Sequence, residues 1–385
     1  MRLNRRTLDV VDSPITAAYD LVALREDGRE LLNLAQAAPT YGPAPEVVEH
    51  IEAVARAGDG SGYTPVPGLP HLREALADEL SAAYDGQVGP DNVLVTAGCN
   101  QAFCLLASTL AGPGDEVILV LPFYFNHDMW LRLGDIRPVY LEPGPDLVPT
   151  VDDARALITD RTRMIVLVTP GNPGGVTLKP QLIADFAQLA REHDIALVLD
   201  ETYRTFRDTD EPPHGLFATD DWGDHVASLH SFSKDLALPG YRVGAIVCSP
   251  AVHREVAKLM DCVAVCAPRI GQEAAWAGLT RAGAWRRERS AEIADHRRAF
   301  TAAMAAAPGG FQVVSEGGYF AWVRHPFGDT PTEQVVRDLV VRQSVLLMPG
   351  TAFTPTDGGM MRVSVCNLEP EQIADLTSRL EEAGR

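Results

Sequence analysis

Between residues 93 and 247 the sequence alternates short, continuous apolar runs with segments whose apolar residues recur at helical spacing. The runs have the length of β-strands, and they cover residues 93–95, 116–120, 164–168, 195–199, 226–229 and 243–247. Strands that are apolar throughout are typical of a sheet buried on both faces, and helical connections are typical of parallel pairing. The sequence therefore predicts an α/β fold with a mostly parallel central sheet in a large domain.

A different pattern begins after about residue 265. The elements expected there are one or two helices at 273–306, strands at 311–314 and 319–323, a helix at 332–342, strands at 345–347 and 361–365, and a helix at 370–382. This order of few strands and few helices indicates a smaller α+β domain. We therefore expect an N-terminal segment at 1–42 that packs with the small domain, a large domain at 43–270 and a small C-terminal domain at 271–385.

Charge and cysteine content limit the class of protein. The formal net charge is −19 and the isoelectric point is near 4.9, so the chain lacks the basic surface that nucleic-acid binding requires. No apolar run approaches the length of a membrane span. The six cysteines are scattered, which predicts neither a disulfide framework nor a metal site. We expect a cytoplasmic enzyme that holds no metal and binds neither nucleic acid nor membrane.

Lysine is scarce, which narrows the search for a reactive amine to positions 179, 234 and 258. Lys234 follows an apolar strand, and open α/β sheets bind ligands at the edge where such strands end. An amine in that place forms an imine with an aldehyde if its pKa is lowered by burial or by nearby cations. Ser231, Ser233 and Arg242 lie close to Lys234 in the sequence and can supply hydroxyl and guanidinium donors to a phosphate.

Two more strand ends carry polar side chains. Asp200 follows the run at 195–199, where a carboxylate can pair with a protonated ring nitrogen and keep it charged. Tyr203, three residues later, can donate to an oxygen of the same ring. Asn172 lies in a Pro- and Gly-rich turn directly after the run at 164–168. Alone, an aspartate at a strand end is most often a helix cap, so the argument depends on all of these residues sharing one edge of the sheet.

The start of a helix predicts an anion site. Gly98, Cys99 and Asn100 lie where a helix begins after the run at 93–95, so free backbone N–H groups and the helix dipole can bind a phosphate there. We expect Cys99 to contribute its backbone and not a nucleophilic thiol.

Three further side chains complete the candidate site. Tyr124 belongs to an aromatic patch at another strand end and can stack on a planar cofactor. His127 can hydrogen-bond the back of Asp200. Arg362 begins a late strand, and arginine is the usual bidentate partner of a carboxylate.

Taken together and in this order, the motifs resemble those of fold-type I enzymes that use pyridoxal 5′-phosphate, and among them the class I/II aminotransferases of the aspartate aminotransferase kind, from about residue 30 to the C-terminus. The resemblance implies the PLP-transferase fold, pyridoxal 5′-phosphate as cofactor, and an amino acid and a 2-oxo acid as substrates. It also implies a homodimer with shared active sites.

The resemblance assigns roles to single residues. Lys234 is implied as the lysine that forms the Schiff base, Asp200 as the partner of the pyridine nitrogen and Tyr203 as the partner of the ring hydroxyl oxygen. The implied cofactor-binding positions are Gly98, Cys99, Asn100, Tyr124, Asn172, Asp200, Tyr203, Ser231, Ser233, Lys234 and Arg242, together with Tyr63, which would reach the phosphate of the neighbouring subunit. The implied substrate-binding positions are Arg362, which would grip the carboxylate, Asn172 and Ala37.

Two positions depart from the family pattern. The turn has Gly174 where the family usually has threonine, and Ala37 stands where it commonly has glycine. Both changes could alter what happens once the α-proton leaves. Transamination is the implied reaction, and β- or γ-elimination, replacement or cyclisation of an amino acid remains the alternative. Residues 13–19 and Tyr41 are expected at the side-chain end of the site, and their mixed apolar and aromatic character is compatible with a neutral amino acid.

Overall fold

The computed structural model describes all 385 residues and contains one large sheet and two small ones. The strands are β1 (Leu32–Asn33), β2 (Val93–Thr96), β3 (Glu116–Val120), β4 (Arg137–Leu141), β5 (Thr162–Val168), β6 (Ala196–Asp200), β7 (Val226–Ser231), β8 (Gly244–Val247), β9 (Gln312–Gly317), β10 (Phe320–Arg324), β11 (Val345–Leu346), β12 (Met348–Pro349) and β13 (Met360–Ser364). The α-helices are α1 (Arg5–Asp9), α2 (Pro14–Asp20), α3 (Pro45–Ala57), α4 (Pro70–Ala83), α5 (Cys99–Leu110), α6 (Phe125–Leu133), α7 (Val151–Leu157), α8 (Pro180–Glu192), α9 (Pro250–Ala264), α10 (Arg269–Arg281), α11 (Gly283–Met304), α12 (Thr332–Gln343) and α13 (Pro370–Ala383).

The large sheet has seven strands in the order β2-β8-β7-β6-β5-β3-β4, and β8 is the one strand that runs against its neighbours. Strands β5, β6 and β7 are mostly buried because helices cover the sheet, with α4 on β2, α5 on β7 and β8, and α8 on β6. The predicted α/β fold with a mostly parallel sheet is confirmed. The sequence analysis missed β4, a half-exposed edge strand that lacks a continuous apolar run.

Because β8 runs antiparallel to β7, it begins at the same edge of the sheet at which β7 ends. Ser231, the last residue of β7, pairs with Gly244, the first residue of β8. Just beyond them the Phe232 N–H donates to the Val243 carbonyl at 3.3 Å. The loop at 232–243, which contains Lys234, is therefore closed at its base by the sheet, at the edge where β5 and β6 also end.

The C-terminal part forms a four-stranded antiparallel sheet in the order β12-β13-β10-β9. Its helices and strands share a separate apolar core, to which Leu32 and Leu34 of the N-terminal segment also belong. Strand β1 of that segment pairs in parallel with β11. The alanine- and arginine-rich stretch forms two helices, α10 and α11, which meet at Ala282. The domain limits expected from the sequence stay predictions.

The turn after β5 and the β9–β10 hairpin touch through their backbones. Gly175 has φ +76°, and a Cβ there would collide with the backbone of Gly317, whose own Cβ would in turn collide with Gly175. Only glycine fits at both places, so the turn that carries Asn172 is pressed directly against the small domain. Separately, none of the helices is long and apolar enough to cross a membrane.

Candidate active site

A cleft of about 400 Å³ opens at the carboxyl ends of the parallel strands, which is a size typical of small-molecule sites. Its wall contains every cofactor- and substrate-binding position implied by the resemblance except Gly98 and Tyr63. The large sheet, the small domain and the N-terminal segment all contribute to it. The wall also includes Ser13, Ile15, Gln36, Phe125, Asn126 and Thr202.

Lys234 lies in the loop after β7 with its amine inside the cleft. Its Nζ donates to the carbonyl oxygen of Ala37. Burial, with a smaller contribution from the positive charges of Arg362 and Arg242, lowers the pKa of the amine to about 8. An amine with this pKa is neutral in a useful fraction of molecules near neutral pH, which is what a nucleophile or a general base requires.

Asp200 ends β6 and is 4% exposed. Its Oδ2 lies 3.3 Å from Nε2 of His127, and its Oδ1 accepts the Thr202 N–H at 3.0 Å. Burial opposes ionisation of the carboxyl, but the His127 and Thr202 interactions outweigh burial and leave the pKa of Asp200 below its ordinary value. The carboxylate therefore stays charged in a buried place, where it can pair with a cationic ring nitrogen. The expected contact from His127 to the back of Asp200 is present.

The start of α5 forms a cradle next to Arg242. Gly98 is the N-cap residue of α5, with φ 87°, and no side chain accepts a hydrogen bond from the N–H groups of the first turn. These N–H groups are therefore free to bind a ligand. A Cβ on Gly98 would collide with the Arg242 guanidinium, so only glycine leaves this space open. Ser231, at the end of β7, and Ser233, in the loop that follows, line the cleft together with Arg242. Burial raises the pKa of the Cys99 thiol well above its ordinary value, which agrees with the expectation that it is no nucleophile.

Arg362 of β13 is 3% exposed and lies across the cleft. Its Nη1 donates to Oδ1 of Asn172 at 2.8 Å and its Nη2 donates to the Ala35 carbonyl. The guanidinium lies between the rings of Phe320 and Phe353, 4.8 and 4.9 Å from their centroids. Its Nε is buried without a partner. Burial lowers the pKa of Arg362 to about 10, so this cation is poorly compensated and suits an anionic ligand.

Two tyrosines complete the wall. Tyr203 packs edge-on against Phe320 at 5.1 Å, and burial raises its pKa well above the ordinary value, so its hydroxyl remains a proton donor. Tyr124 donates to Oδ1 of Asn126 at 2.8 Å and lies 3.1 Å from Oδ1 of Asn100. Burial likewise raises the pKa of Tyr124, to about 12.

Besides Gly98 and His127, which adjoin the cleft residues Arg242 and Asp200, three residues singled out from the sequence lie outside the cleft. Tyr63 is 81% exposed. Tyr41 instead packs edge-on against Trp285 at 5.6 Å, so its expected place at the side-chain end is wrong. Gly174 faces away from the cleft: a Cβ there would meet Leu147 at 2.8 Å.

The sequence analysis missed several wall residues. Thr202 binds Asp200 through its backbone N–H, a contact that any residue except proline can make, and its side chain also favours the charged carboxylate. Gln36 and Asn126 were given no role from the sequence, although an amide close to Ala37 or Tyr124 was a usable signal. Ser13 and Ile15, from the segment expected at the side-chain end, do line the cleft.

Comparisons with known proteins agree on one family. The family model described as "Aminotransferase class I and II" matches residues 29–380. Aromatic aminotransferase ISS1 of Arabidopsis thaliana is 30% identical and is aligned over 98% of this chain and 95% of its own length. The aspartate/prephenate aminotransferase of Thermus thermophilus is 29% identical over 96% of both chains. The solved structure of Thermus thermophilus aspartate aminotransferase with maleate superposes with a TM-score of 0.89 at 26% identity and covers 100% of both chains.

Proposed function

The chain belongs to the class I and II aminotransferase family, and on that premise we propose that it transfers the amino group of a neutral L-amino acid to a 2-oxo acid with pyridoxal 5′-phosphate as cofactor. The chain is an aminotransferase with the fold of aspartate aminotransferases. The observation that carries the finer proposal is the meeting of Lys234, Asp200 and Arg362 in one cleft.

The residues present fit this cofactor. The cradle between Gly98 and Arg242, with the free N–H groups of α5, is a place for a phosphate. Asp200, kept charged by His127, would hold the ring nitrogen. Ser231 and Ser233 would add hydroxyl donors to the phosphate. When bound, pyridoxal 5′-phosphate supplies an aldehyde that carries the amino group and a ring that accepts electrons from the α-carbon.

Other side chains of the cleft bind the substrate, orient it and accept its α-proton. Arg362, which lines the cleft, binds the α-carboxylate of the amino acid through N–H groups of its guanidinium. Lys234, whose pKa of about 8 leaves a fraction of the amine neutral near neutral pH, takes the proton from the α-carbon as general base. The hydroxyl of Tyr203 and the amide of Asn172 face the same space and orient what lies between these groups. Tyr124 provides a flat ring for stacking.

The wall of the cleft near the N-terminal segment supports a neutral side chain on the substrate. Ser13, Gln36 and Asn126 offer uncharged hydrogen-bonding groups, and Ile15 and Phe125 offer apolar surface. A phenyl or branched aliphatic side chain of the substrate costs little free energy to desolvate when it packs against such a wall. A carboxylate would lose its hydration without gaining a cationic partner there. The name of the Arabidopsis relative, an aromatic aminotransferase, agrees with this preference.

The homodimer is part of the same proposal. Tyr63 is 81% exposed and lies outside the cleft of its own chain, as a residue must if it serves the site of a second copy. Val263 and Val265 are also exposed, and apolar side chains at a surface suit a subunit contact. The cytoplasmic location expected from the sequence stays a prediction.

A single-turnover experiment tests the function. The purified holoenzyme is mixed with one amino acid at a time, without an acceptor, and released 2-oxo acid and ammonia are measured. We expect about one equivalent of 2-oxo acid per subunit from phenylalanine or leucine, no ammonia, and many turnovers once a second 2-oxo acid is added. Ammonia in place of a stoichiometric 2-oxo acid would refute transamination. A stronger response to aspartate than to any neutral amino acid would refute the proposed substrate class.

A further inference from the structure

Residues 33–37 of the N-terminal segment contact both charged groups of the cleft through backbone carbonyls. The carbonyl of Ala35 accepts from Nη2 of Arg362, and the carbonyl of Ala37 accepts from Nζ of Lys234. The position of this short stretch of backbone therefore fixes where the guanidinium and the amine point. Whatever holds the stretch in place acts on both groups together.

The first half of the stretch is held by the small domain. The Leu34 N–H donates to the Leu346 carbonyl at 2.8 Å, and the Leu34 carbonyl accepts from the Ser364 N–H at 2.9 Å. Both bonds involve Leu34, which precedes the two carbonyls that meet the charged groups. The stretch beyond Leu34 needs another restraint.

Asn367 supplies that restraint. Its Nδ2 donates to the Asn33 carbonyl at 3.0 Å and to the Gln36 carbonyl at 2.7 Å. Gln36 lies between Ala35 and Ala37, so the bond fixes the backbone between the two carbonyls that face the cleft. The Asn367 amide thus joins the end of β13 to the far half of the stretch.

The chemistry of the site fixes the orientation of this amide. Backbone carbonyls only accept, so the NH₂ of Asn367 must face Asn33 and Gln36. Its Oδ1 accepts from the Ser364 hydroxyl at 3.3 Å and from the Cys366 thiol at 3.0 Å. Donors and acceptor are all used. A carboxylate of the same shape could not replace the amide, because two carbonyl oxygens would then face an anion.

We propose that Asn367 is a positioning residue for the amino-group transfer: it restrains residues 33–37 so that Ala35 orients Arg362 and Ala37 orients Lys234. Asn367 acts through the backbone and itself touches neither group. The proposal rests on the roles given above to Lys234 and Arg362.

The test compares Asn367→Asp and Asn367→Ala with matched substitutions at Asn92. The Asn92 amide also bridges backbone groups, since Nδ2 donates to the Cys248 carbonyl at 2.9 Å and Oδ1 accepts the Gly89 N–H at 2.9 Å, but it lies outside the cleft. The readouts on each holoenzyme are KM and kcat for the preferred amino acid, the thermal midpoint, and hydrogen exchange of the amides at 34–38.

We expect Asn367→Asp to raise KM about tenfold, because the Arg362 guanidinium loses its fixed orientation, with a smaller fall in kcat. Exchange at 34–38 should quicken. Asn92→Asp should lower the thermal midpoint to a similar extent while KM and kcat stay within twofold of wild type. Asn367→Ala, which adds no charge, should show the same pattern more weakly.

A lower thermal midpoint with unchanged KM and kcat in both Asn367 variants would overturn the proposal, and so would unchanged exchange at 34–38. The exchange readout does not need turnover. Faster exchange in Asn367→Asp but not in Asn92→Asp therefore supports the restraint even if wild type releases no 2-oxo acid, a result that would sink only the proposed function.

Discussion

Asp235, which follows Lys234 in the chain, forms an ion pair with Arg286 of α11, with Oδ2 and Nη2 2.8 Å apart. The same guanidinium binds Glu79 of α4 at 2.6 Å. All three side chains are largely buried. The loop that carries Lys234 is thus fastened to two helices by one arginine, and Asp235 would be a buried, uncompensated carboxylate without it.

The first prediction concerns that arginine. Arg286→Met should lower the free energy of unfolding by about 3 kcal/mol, because removing one partner of a buried ion pair leaves the other charge unpaired. Denaturant titration measures the change. Arg287→Met, at an exposed position on the same helix, serves as the control and should change the free energy by less than about 0.5 kcal/mol. Equal effects in the two variants would contradict the reasoning.

The second prediction concerns the pH dependence of Lys234. Its pKa is lowered to about 8, and a general base must be neutral, so kcat should fall as the pH drops through about 8 and approach a tenfold loss per unit below it. Lys234→Ala should abolish release of the 2-oxo acid, and added methylamine should restore part of it. Lys258→Ala, at a surface lysine paired with Glu255, should leave kcat unchanged. A kcat that is flat from pH 6 to 9 would argue against the role.

The third prediction concerns carboxylate recognition. Arg362→Lys keeps a positive charge but loses the paired N–H groups that bind Asn172 and an incoming carboxylate. We expect KM for the amino acid to rise about 10- to 100-fold, the equivalent of losing one charge-assisted hydrogen bond. Arg324→Lys, at the exposed end of β10, is the matched control. Steady-state kinetics decide the matter, and an unchanged KM would mean that another residue binds the carboxylate.

The fourth prediction uses the contact between His127 and Asp200. His127→Leu should raise the pKa of Asp200, because the burial of the carboxyl would then be opposed mainly by Thr202. Since the charged carboxylate is the working form, the acidic limb of the kcat/KM profile should move to higher pH. His253→Leu, at a buried histidine that contacts the Val93 carbonyl outside the cleft, should leave the limb in place. Identical profiles for the two variants would refute the assignment.

Much of this site could be predicted because its reactive side chains lie at or shortly after the ends of strands. Asp200, Lys234 and Asn172 each come directly after an apolar run, and the carboxyl ends of parallel strands must meet at one edge. The local sequence alone therefore predicts that these three residues share one site. Arg362 was also predictable, although its partners were not.

The rest depends on contacts between distant segments. Asn367 binds residues more than 300 positions away, and the amide of an asparagine carries no sequence signal for that. The direction of β8 is a property of pairing, since its apolar run looks like those of the parallel strands. Tyr41 was placed at the substrate wall by analogy with the family, and its packing on Trp285 of α11 depends on a distant segment that the local sequence does not show.

The reversal of β8 has a mechanical consequence for the cofactor site. Ser231 and Gly244 pair at the base of the loop, and the Asp235–Arg286 ion pair holds it from the side. Lys234 and Arg242 both lie in this loop, so opening of its base would displace the two residues together. Detachment of the phosphate and exposure of the amine would then occur in a single event. The loss of cofactor absorbance during heating should therefore follow the opening of the strand pair at the base of this loop.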